Sequence, residues 1–342
     1  RKNCSFSVMC QIKYSVFGLI FSLTINGILL IFQYPRVNCL NKDLTMIPKF
    51  RHKKQFLGHN GAVFCLVKDA EKGFYSCGSD GMLVHWTSVE KEDGKLVARI
   101  NTSVYTLLHH AERNIFLTGN LNGNLQWIED GKEQFNFKAH NKGVFALQNL
   151  GDRFLSLGGD GSLGVWTWES PRTPFFISLS KDALRTIAFD AKNNRIIIGS
   201  SDGNIYVLDS STLDILHSFE NAHANSVFSV CISSDNQFLY SGARDNFIKC
   251  WSMNDFSLQH VVPAHAATIN HIIEGPADTL ISASRDKELR IWDRKNLSLV
   301  QVLKTPRDQG HINSVNRLLW DRTNELLYST GDDKTIICWE ID

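Results

Sequence analysis

The sequence has no excess of charge of either sign. Its 36 lysines and arginines face 35 aspartates and glutamates among 342 residues, which gives a formal net charge of +1. A dedicated nucleic-acid-binding protein usually carries a basic patch or tail, and an acidic solvating tail would be visible as a run of carboxylates. The balance of charge therefore argues against a nucleic-acid partner.

Several motifs of metal, redox and catalytic sites are also missing. The eight cysteines form neither a C-x-x-C nor any other close pair, which excludes a zinc knuckle and the disulfide framework of a small secreted domain. We expect them to be reduced residues of apolar strands. No phosphate-binding G-x-x-x-x-G-K-[S/T], no G-x-S-x-G and no H-E-x-x-H is found. We therefore expect no cofactor and no metal.

Residues 1–45 differ from the rest because they contain no alanine and no glutamate, and no charge between Lys13 and Arg36. We interpret them as an upstream sequence read as though it were coding, with Met46 as the true initiator of a cytoplasmic protein. The alternative is a signal anchor, because the apolar run 15–32 is long enough for a membrane span of about 18 residues. No small-residue cleavage site follows it. A membrane partner is expected only under this alternative.

A repeated spacing dominates the remaining sequence. In "SGARDNFIKCW", Asp245 lies four residues after Ser241 and six residues before Trp251. Related residues recur at the same spacing seven times, and successive units are 38 to 47 residues apart. Repeats of this length indicate a solenoid or a propeller. The central residues of the seven units are Asp80, Asn122, Asp160, Asp202, Asp245, Asp286 and Asp333.

The local pattern of each unit predicts β-strands that are buried on both faces. Glycine follows the central residue in four units, and Asp-Gly or Asn-Gly between apolar runs favours a tight hairpin. The residue three positions after the centre is always Leu or Ile, and the neighbouring positions are mostly apolar or aromatic. Such strands need a sheet on each side. Units of about 40 residues with four strands each then close radially into a propeller.

At this point the chain closely resembles the WD-repeat family of β-propellers. Five units carry a histidine 20 to 22 residues before the aspartate, preceded by Gly or Ala, and Trp292-Asp293 is the one literal Trp-Asp pair. The resemblance covers about residues 53–342. It implies an all-β, seven-bladed propeller over residues 46–342. It also implies that an N-terminal strand within His52 to Leu57 completes the last blade.

The same resemblance implies a hydrogen-bond chain inside each complete blade, from tryptophan through serine and histidine to aspartate. Units two and four lack both the histidine and the tryptophan. We expect those two blades to be held by apolar packing alone. The implied tetrads are His59, Ser76, Asp80, Trp86; His140, Ser156, Asp160, Trp166; His223, Ser241, Asp245, Trp251; His265, Ser282, Asp286, Trp292; and His311, Ser329, Asp333, Trp339.

Proteins of this family most often bind partners at the narrow end of the ring. The positions that form this end carry aromatic and arginine side chains here, the types that dominate interface hot spots. They either bind a partner or plug the central channel. The implied partner-binding residues are Phe64, Tyr105, Phe145, Arg185, Phe228, Asn270, Asn316, Leu121, Arg244 and Arg285.

No catalytic site is predicted. Ser, His and Asp recur together five times, whereas a hydrolase needs one exposed nucleophile beside an oxyanion hole. The sequence therefore predicts a non-enzymatic scaffold, a monomeric propeller within a complex, that binds a protein or an extended acidic and apolar peptide. The alternative is a propeller enzyme, or a small-ligand or metal-binding protein, that uses the central channel.

Overall fold

The computed structural model describes residues 9–15, 18–25, 28–35, 47–70, 73–91, 94–169 and 171–342. The chain divides into two compact units, Arg1–Met46 and Ile47–Asp342. Three strands of the first unit form an antiparallel sheet in sequence order. They are β1 (Met9–Ser15), β2 (Gly18–Ile25) and β3 (Ile28–Pro35).

The predicted anchor, residues 15–32, coincides largely with these strands, and its residues 16–17 and 26–27 lie outside the described part. Among the residues that the structure describes, no helix is long and apolar enough to cross a membrane. Both interpretations of residues 1–45 stay predictions.

The second unit consists of seven antiparallel four-stranded sheets, here called blades 1 to 7. In six of them the four strands follow one another in the chain, and the first strand lines the centre of the ring. A single turn of 3-10 helix, Ala111–Arg113, follows the two histidines of the segment "HHAERN", residues 109–114. This architecture confirms the predicted seven-bladed all-β propeller.

The first four blades have the following strands. Blade 1 contains β5 (Val63–Lys68), β6 (Phe74–Gly78), β7 (Met82–Trp86) and β8 (Lys95–Arg99). Blade 2 contains β9 (Val104–His110), β10 (Ile115–Asn120), β11 (Asn124–Glu129) and β12 (Lys132–Lys138). Blade 3 contains β13 (Val144–Asn149), β14 (Arg153–Gly158), β15 (Ser162–Thr167) and β16 (Phe175–Ser178). Blade 4 contains β17 (Leu184–Asp190), β18 (Arg195–Ser200), β19 (Ile205–Asp209) and β20 (Ile215–Phe219).

The last three blades complete the ring. Blade 5 contains β21 (Val227–Ile232), β22 (Phe238–Ala243), β23 (Phe247–Ser252) and β24 (Leu258–Pro263). Blade 6 contains β25 (Ile269–Glu274), β26 (Thr279–Ser284), β27 (Leu289–Asp293) and β28 (Leu299–Leu303). Blade 7 contains β29 (Val315–Asp321), β30 (Leu326–Gly331), β31 (Ile336–Ile341) and β4 (Phe50–Phe56).

Blade 7 joins the two ends of the propeller sequence. Strand β4 pairs antiparallel with β31, so that Phe56 lies opposite Ile336 and Phe50 lies opposite Ile341. The closing strand begins two residues earlier than the segment His52 to Leu57 that the sequence indicated. This pairing removes the exposed sheet edge that an open ring would leave.

The core lies between neighbouring blades. The apolar residue three positions after each repeat centre has no solvent-exposed surface in any of the seven blades. Each makes part of an apolar cluster that packs one sheet against the next, so the ring is held by face-to-face packing. These residues are Leu83, Leu125, Leu163, Ile205, Ile248, Leu289 and Ile336.

The hairpin turns explain the predicted Asp-Gly and Asn-Gly pairs. Gly81 has φ +68°, and a Cβ atom on it would lie 1.9 Å from the carbonyl oxygen of Ile100. Blades 5 to 7 place Asn246, Lys287 and Lys334 in the same left-handed region, with φ of 72°, 76° and 69°. A lysine there is strained relative to glycine.

Candidate functional site

Inside blade 1 the four predicted residues form one hydrogen-bonded chain. Trp86 Nε1 donates to Ser76 Oγ at 2.7 Å, and Ser76 Oγ lies 2.8 Å from His59 Nε2. His59 Nδ1 lies 2.9 Å from Asp80 Oδ2. Because the indole can only donate, the serine oxygen accepts, and its own proton is directed to His59 Nε2. The histidine Nδ1–H then donates to the carboxylate.

The other four tetrads have the same geometry. The tryptophan donates to serine at 2.9 Å, serine lies 2.7–2.9 Å from histidine, and histidine lies 2.9–3.2 Å from aspartate. Each aspartate also accepts a backbone N–H from the residue after the histidine. The tetrad therefore ties the loop that enters a blade to its central hairpin.

These contacts keep the buried carboxylates ionised. Burial alone would raise the pKa of Asp286, but the hydrogen bond from His265 and two backbone N–H groups lower that pKa to about 2. The pKa values of Asp80, Asp160, Asp245 and Asp333 are also lowered, because donated hydrogen bonds outweigh the effect of burial.

Blade 4 contradicts the prediction that apolar packing alone holds it. Asp202 Oδ2 accepts hydrogen bonds from Ser180 Oγ and from the Tyr206 hydroxyl, both at 2.8 Å. Asp202 Oδ1 accepts the backbone N–H of Asn204 at 2.8 Å. A tyrosine and a serine thus replace histidine as donors, because the aspartate still needs donors when it is buried.

Blade 2 departs from the prediction as well. Thr118 Oγ1 donates to Gln126 Oε1 at 3.2 Å, and Gln126 Nε2 donates to Glu133 at 2.7 Å. The hairpin N–H groups are accepted by Asn120, at 3.0 Å each, and not by the predicted central residue Asn122. A polar chain of different residues therefore occupies the place of the tetrad.

At the narrow end of the ring, seven of the predicted partner-binding residues occupy one structural position. Each is the extra residue of a β-bulge in the first strand of its blade, where the pairing register shifts by one. All seven side chains are half-buried. A bulge turns a side chain out of the regular alternation. These residues are Phe64, Tyr105, Phe145, Arg185, Phe228, Asn270 and Asn316.

Five of them form a continuous row across blades 1 to 5, which we name the mouth arc: Phe64, Tyr105, Phe145, Arg185 and Phe228. The Phe64 and Tyr105 rings stack, with centroids 4.9 Å apart, and Tyr105 meets Phe145 edge to face at 6.5 Å. The Arg185 guanidinium lies 4.2 Å from the Phe145 centroid and 5.5 Å from that of Phe228. Within the described residues no carboxylate forms an ion pair with Arg185.

The two remaining positions are used to hold blades together. Asn270 Nδ2 donates to Val315 O at 2.8 Å and to Ser314 Oγ at 3.0 Å. Asn316 Nδ2 donates to Val63 O at 3.1 Å, which joins blade 7 to blade 1. Both amide donors are therefore already engaged within the ring.

The last three predicted residues, Leu121, Arg244 and Arg285, are exposed on the same end, each directly before the centre of its repeat. Leu121 borders a groove of about 790 Å³ that also includes Lys138, Lys142, Phe145 and Arg185. The groove is open, and Leu121 leaves 55% of its surface exposed.

Below the arc the channel contains a smaller cavity of about 100 Å³, which we name the channel cavity. Phe64, Tyr105, Phe145 and Arg185 form its upper wall, and Arg317 reaches it from β29. Phe145 and Arg185 border both the groove and the cavity. Arg317 was not predicted, because strand alternation would turn it away from the side to which Asn316 points.

Metal binding finds little support in the described part of the propeller. His265, Asp286 and Glu288 place ligand atoms within 4.8 Å of one another, but His265 and Asp286 belong to a tetrad. Glu288 forms an ion pair with Arg290 at 2.6 Å. The histidines of "HHAERN" are packed on aromatic rings, since His109 stacks on Phe116 and His110 lies against Trp168.

Comparison with known proteins agrees with this architecture. The family model described as WD domain, G-beta repeat, matches residues 213–252, 256–293 and 299–340. Each stretch holds the last strand of one blade and the first three strands of the next, from the end of blade 4 to blade 7. The solved WD40 β-propeller domain of Doa1 superposes with a TM-score of 0.75 and 17% sequence identity, covering 85% of this chain and 97% of that domain.

Curated relatives share the repeats at low identity. Protein ROOT INITIATION DEFECTIVE 3 of Arabidopsis thaliana is 24% identical over 61% of this chain and 50% of its own length. Nuclear distribution protein nudF of Emericella nidulans is 27% identical over 44% of this chain and 38% of its own length. Human Striatin-4 is 26% identical over 49% of this chain and 27% of its own length. The chain thus spans half or less of the length of these relatives.

The chain therefore contains WD repeats within residues 213–340 and has the fold of a WD40 β-propeller, in agreement with the resemblance that its repeats indicated.

Proposed function

We propose that this chain is a non-enzymatic scaffold that binds a protein or peptide segment at the narrow end of its propeller. The mouth arc carries the proposal, because it brings four aromatic rings and an arginine side by side at the opening of the channel. These residue types dominate interface hot spots. Tetrads and inter-blade packing supply a rigid support beneath them.

The arc favours an acidic and apolar segment over a cationic one. Arg185 already covers faces of the Phe145 and Phe228 rings, where an external cation would otherwise bind. The adjoining groove adds Lys138 and Lys142 against a single carboxylate, Asp182, with Leu121 as an apolar contact. A segment with carboxylates and apolar side chains would complement this surface in both charge and polarity.

The free cysteines support a cytoplasmic location. Cys65, Cys77, Cys231, Cys250 and Cys338 are unpaired in the described propeller. Burial raises the pKa of Cys65 and Cys231 to about 12, so their thiols stay protonated. Unpaired thiols are usual in a reducing compartment. The mass of the N-terminus of the native protein, with membrane fractionation, tests this location together with the proposal that Met46 is the initiator.

Affinity capture followed by mass spectrometry tests the binding site. The parent chain is compared with a variant in which all five residues of the mouth arc are changed to alanine. The matched control changes Phe175, Ile215, Leu258 and Leu299 to alanine, which are exposed apolar residues of outer strands. Circular dichroism melts establish that each variant is folded, and Phe145→Ala with Arg185→Gln replaces the five-fold variant if it is not.

We expect one set of partners to be recovered by the parent and the control and lost by the arc variant. Recovery of the same partners by all three proteins would contradict the proposal, and would mean that the arc plugs the channel. Stoichiometric metal in the purified protein, found by elemental analysis, would instead favour the alternative of a propeller enzyme or metal-binding protein.

A further inference from the structure

The residue after each bulge forms a second layer inside the channel. In three blades this residue accepts a backbone N–H from the first strand of the next blade. Thr186 Oγ1 accepts from Val230 at 3.4 Å, Ser229 Oγ from Ile272 at 2.9 Å, and His271 Nδ1 from Leu318 at 3.2 Å. The layer therefore links neighbouring blades through hydrogen-bond acceptors. Its seven members are Cys65, Thr106, Ala146, Thr186, Ser229, His271 and Arg317.

Arg317 is the one cation of this layer, and it cannot accept a hydrogen bond. Its side chain forms neither a hydrogen bond nor an ion pair with any residue of the described chain. Its side chain keeps solvent-accessible surface because it lies in the channel, although protein surrounds it. Burial lowers the pKa of Arg317, and the Cys65 thiol beside it is protonated and neutral. Inside this confined channel the guanidinium has no counter-charge from the described chain, so an anion that enters the channel can pair with it.

The channel cavity combines two guanidinium groups with no opposing carboxylate. Its lining includes Arg185 and Arg317, and it contains no aspartate or glutamate among the described residues. The volume of about 100 Å³ would hold roughly three waters, or the head of one carboxylate. Thr106 and Gln148 border the same space and offer further polar groups. The cavity is thus complementary to a single small anion.

We propose that the channel cavity is a carboxylate subsite, in which an Asp or Glu side chain of the bound segment passes the mouth arc and pairs with Arg317. The inference rests on the proposed function, and it names the residue that selects for acidic segments. The source of the carboxylate is the bound segment, because the cavity and the groove share Phe145 and Arg185. A chain lying in the groove can therefore direct one side chain inward.

A peptide selection tests the subsite. A random 16-residue peptide library displayed on phage is selected on the immobilised full chain, and enriched peptides are synthesised with each Asp or Glu changed in turn to Asn or Gln. We expect one acidic position whose replacement weakens binding to the parent at least 10-fold. In the Arg317→Met variant, the same peptide replacement should weaken binding less than 3-fold. The Arg317→Lys variant should retain part of the preference for the acidic residue.

Thermal melts show that the Arg317 variants are folded and test whether the arginine has only a structural role. Because the Arg317 side chain makes no hydrogen bond in the described chain, we expect Arg317→Met to melt at the parent temperature or above it. A lower melting temperature together with an equal loss of affinity for all peptides would overturn the subsite. Free glutarate is the second probe. If glutarate raises the melting temperatures of the parent and of Arg317→Met equally, and the peptides show no requirement for an acidic residue, the subsite is also overturned.

The two proposals fail in different ways. If enriched peptides bind the mouth-arc variant as tightly as the parent, or if no peptide is enriched, the proposed function is overturned and the inference falls with it. If peptides lose binding to the arc variant but show no coupling between Arg317 and an acidic position, the binding mouth stands and the carboxylate subsite is overturned.

Discussion

Blades 5 to 7 and blades 1 to 4 use the same repeat in different ways. Blades 5 to 7 match the family model, and each contains a complete tetrad. Their side of the mouth includes Asn270 and Asn316, whose amides bond to neighbouring strands. Blades 1 to 4 fall outside the match except for the last strand of blade 4, and two of them replace the tetrad with other residues.

Under the proposed function, this difference separates side chains that hold the ring together from side chains that contact a partner. In blades 6 and 7 the polar mouth residues Asn270 and Asn316 hold blades together, whereas Phe228 of blade 5 belongs to the mouth arc. On the irregular side, stacked rings and Arg185 form the opening and the channel cavity lies beneath them. We infer that structural and recognition roles are separated around the ring.

The largest expected effect compares the carboxylates of a regular and an irregular blade. Asp245→Ala should lower the free energy of unfolding by about 3 kcal/mol, because it leaves His223 and two backbone N–H groups without their acceptor. Asp202→Ala should lower it by a similar amount, since Asp202 also accepts three hydrogen bonds. Urea unfolding measures both. A change below about 0.5 kcal/mol for Asp202→Ala would mean that blade 4 is held by apolar packing, as the sequence had indicated.

The next effect separates binding from stability. Phe145→Ala should weaken a peptide selected on the parent by about 2 kcal/mol, since truncated aromatic hot spots lose this much. Asn316→Ala should leave peptide affinity nearly unchanged but lower stability by about 1 kcal/mol, because its bond to Val63 O joins blade 7 to blade 1. Isothermal titration and urea unfolding measure the two quantities. The opposite pattern would show that the halves of the mouth do not differ in role.

Acid should destabilise the blades that contain complete tetrads over a defined range of pH. The folded-state pKa of Asp286 is lowered to about 2 from an ordinary value of 3.8. The stability that its ionised carboxylate gives to the folded state is therefore fully present above about pH 4. It is lost as the pH falls from 4 towards 2, because the unfolded chain takes up protons first. We expect a loss of about 1 kcal/mol at this residue after allowance for solvent screening. Urea unfolding of Asp286→Asn should show a flatter pH profile than the parent, and an identical profile would refute the assignment.

The smallest effect concerns the substitute donor of blade 4. Tyr206→Phe removes the hydroxyl that donates to Asp202 and should lower the free energy of unfolding by about 0.8 kcal/mol. Tyr105→Phe is the matched control, because the Tyr105 hydroxyl forms no hydrogen bond within the described residues. Thermal melts of the two variants compare them directly. Equal melting temperatures would show that the Tyr206 hydroxyl contributes nothing to blade 4.

Repeat spacing made the fold predictable because buried strands impose the same residue types at the same positions in every blade. Trp86 and Ser76 could be paired through the family resemblance, since five of the seven units repeat that spacing. Tyr206 could not be paired with Asp202 in the same way, because no second blade repeats the substitution. In blade 2 the turn N–H groups donate to Asn120, whereas the repeat spacing indicated Asn122. The acceptor lies two residues earlier in this blade.

Arg317 shows what the sequence leaves open at the candidate site. Regular alternation would place Asn316 and Arg317 on opposite faces of β29. The register shifts between Val315 and Arg317, so the extra residue lets both point to the channel. Bulges of this kind depend on the whole ring, and no local residue pattern marks them. The mouth positions were available from the family resemblance, whereas the layer beneath them was not.

Site-specific photo-crosslinking tests the central claim most directly. p-Benzoyl-phenylalanine replaces either Leu121, at the groove on the narrow end, or Leu299, on the outer strand of blade 6, and the two positions are similarly exposed at 55% and 48%. Each full-length protein is illuminated with a peptide selected on the parent. The account predicts crosslinks from position 121 that disappear in the mouth-arc variant, and none from position 299. Crosslinking at position 299, or at position 121 without dependence on the arc, would contradict it.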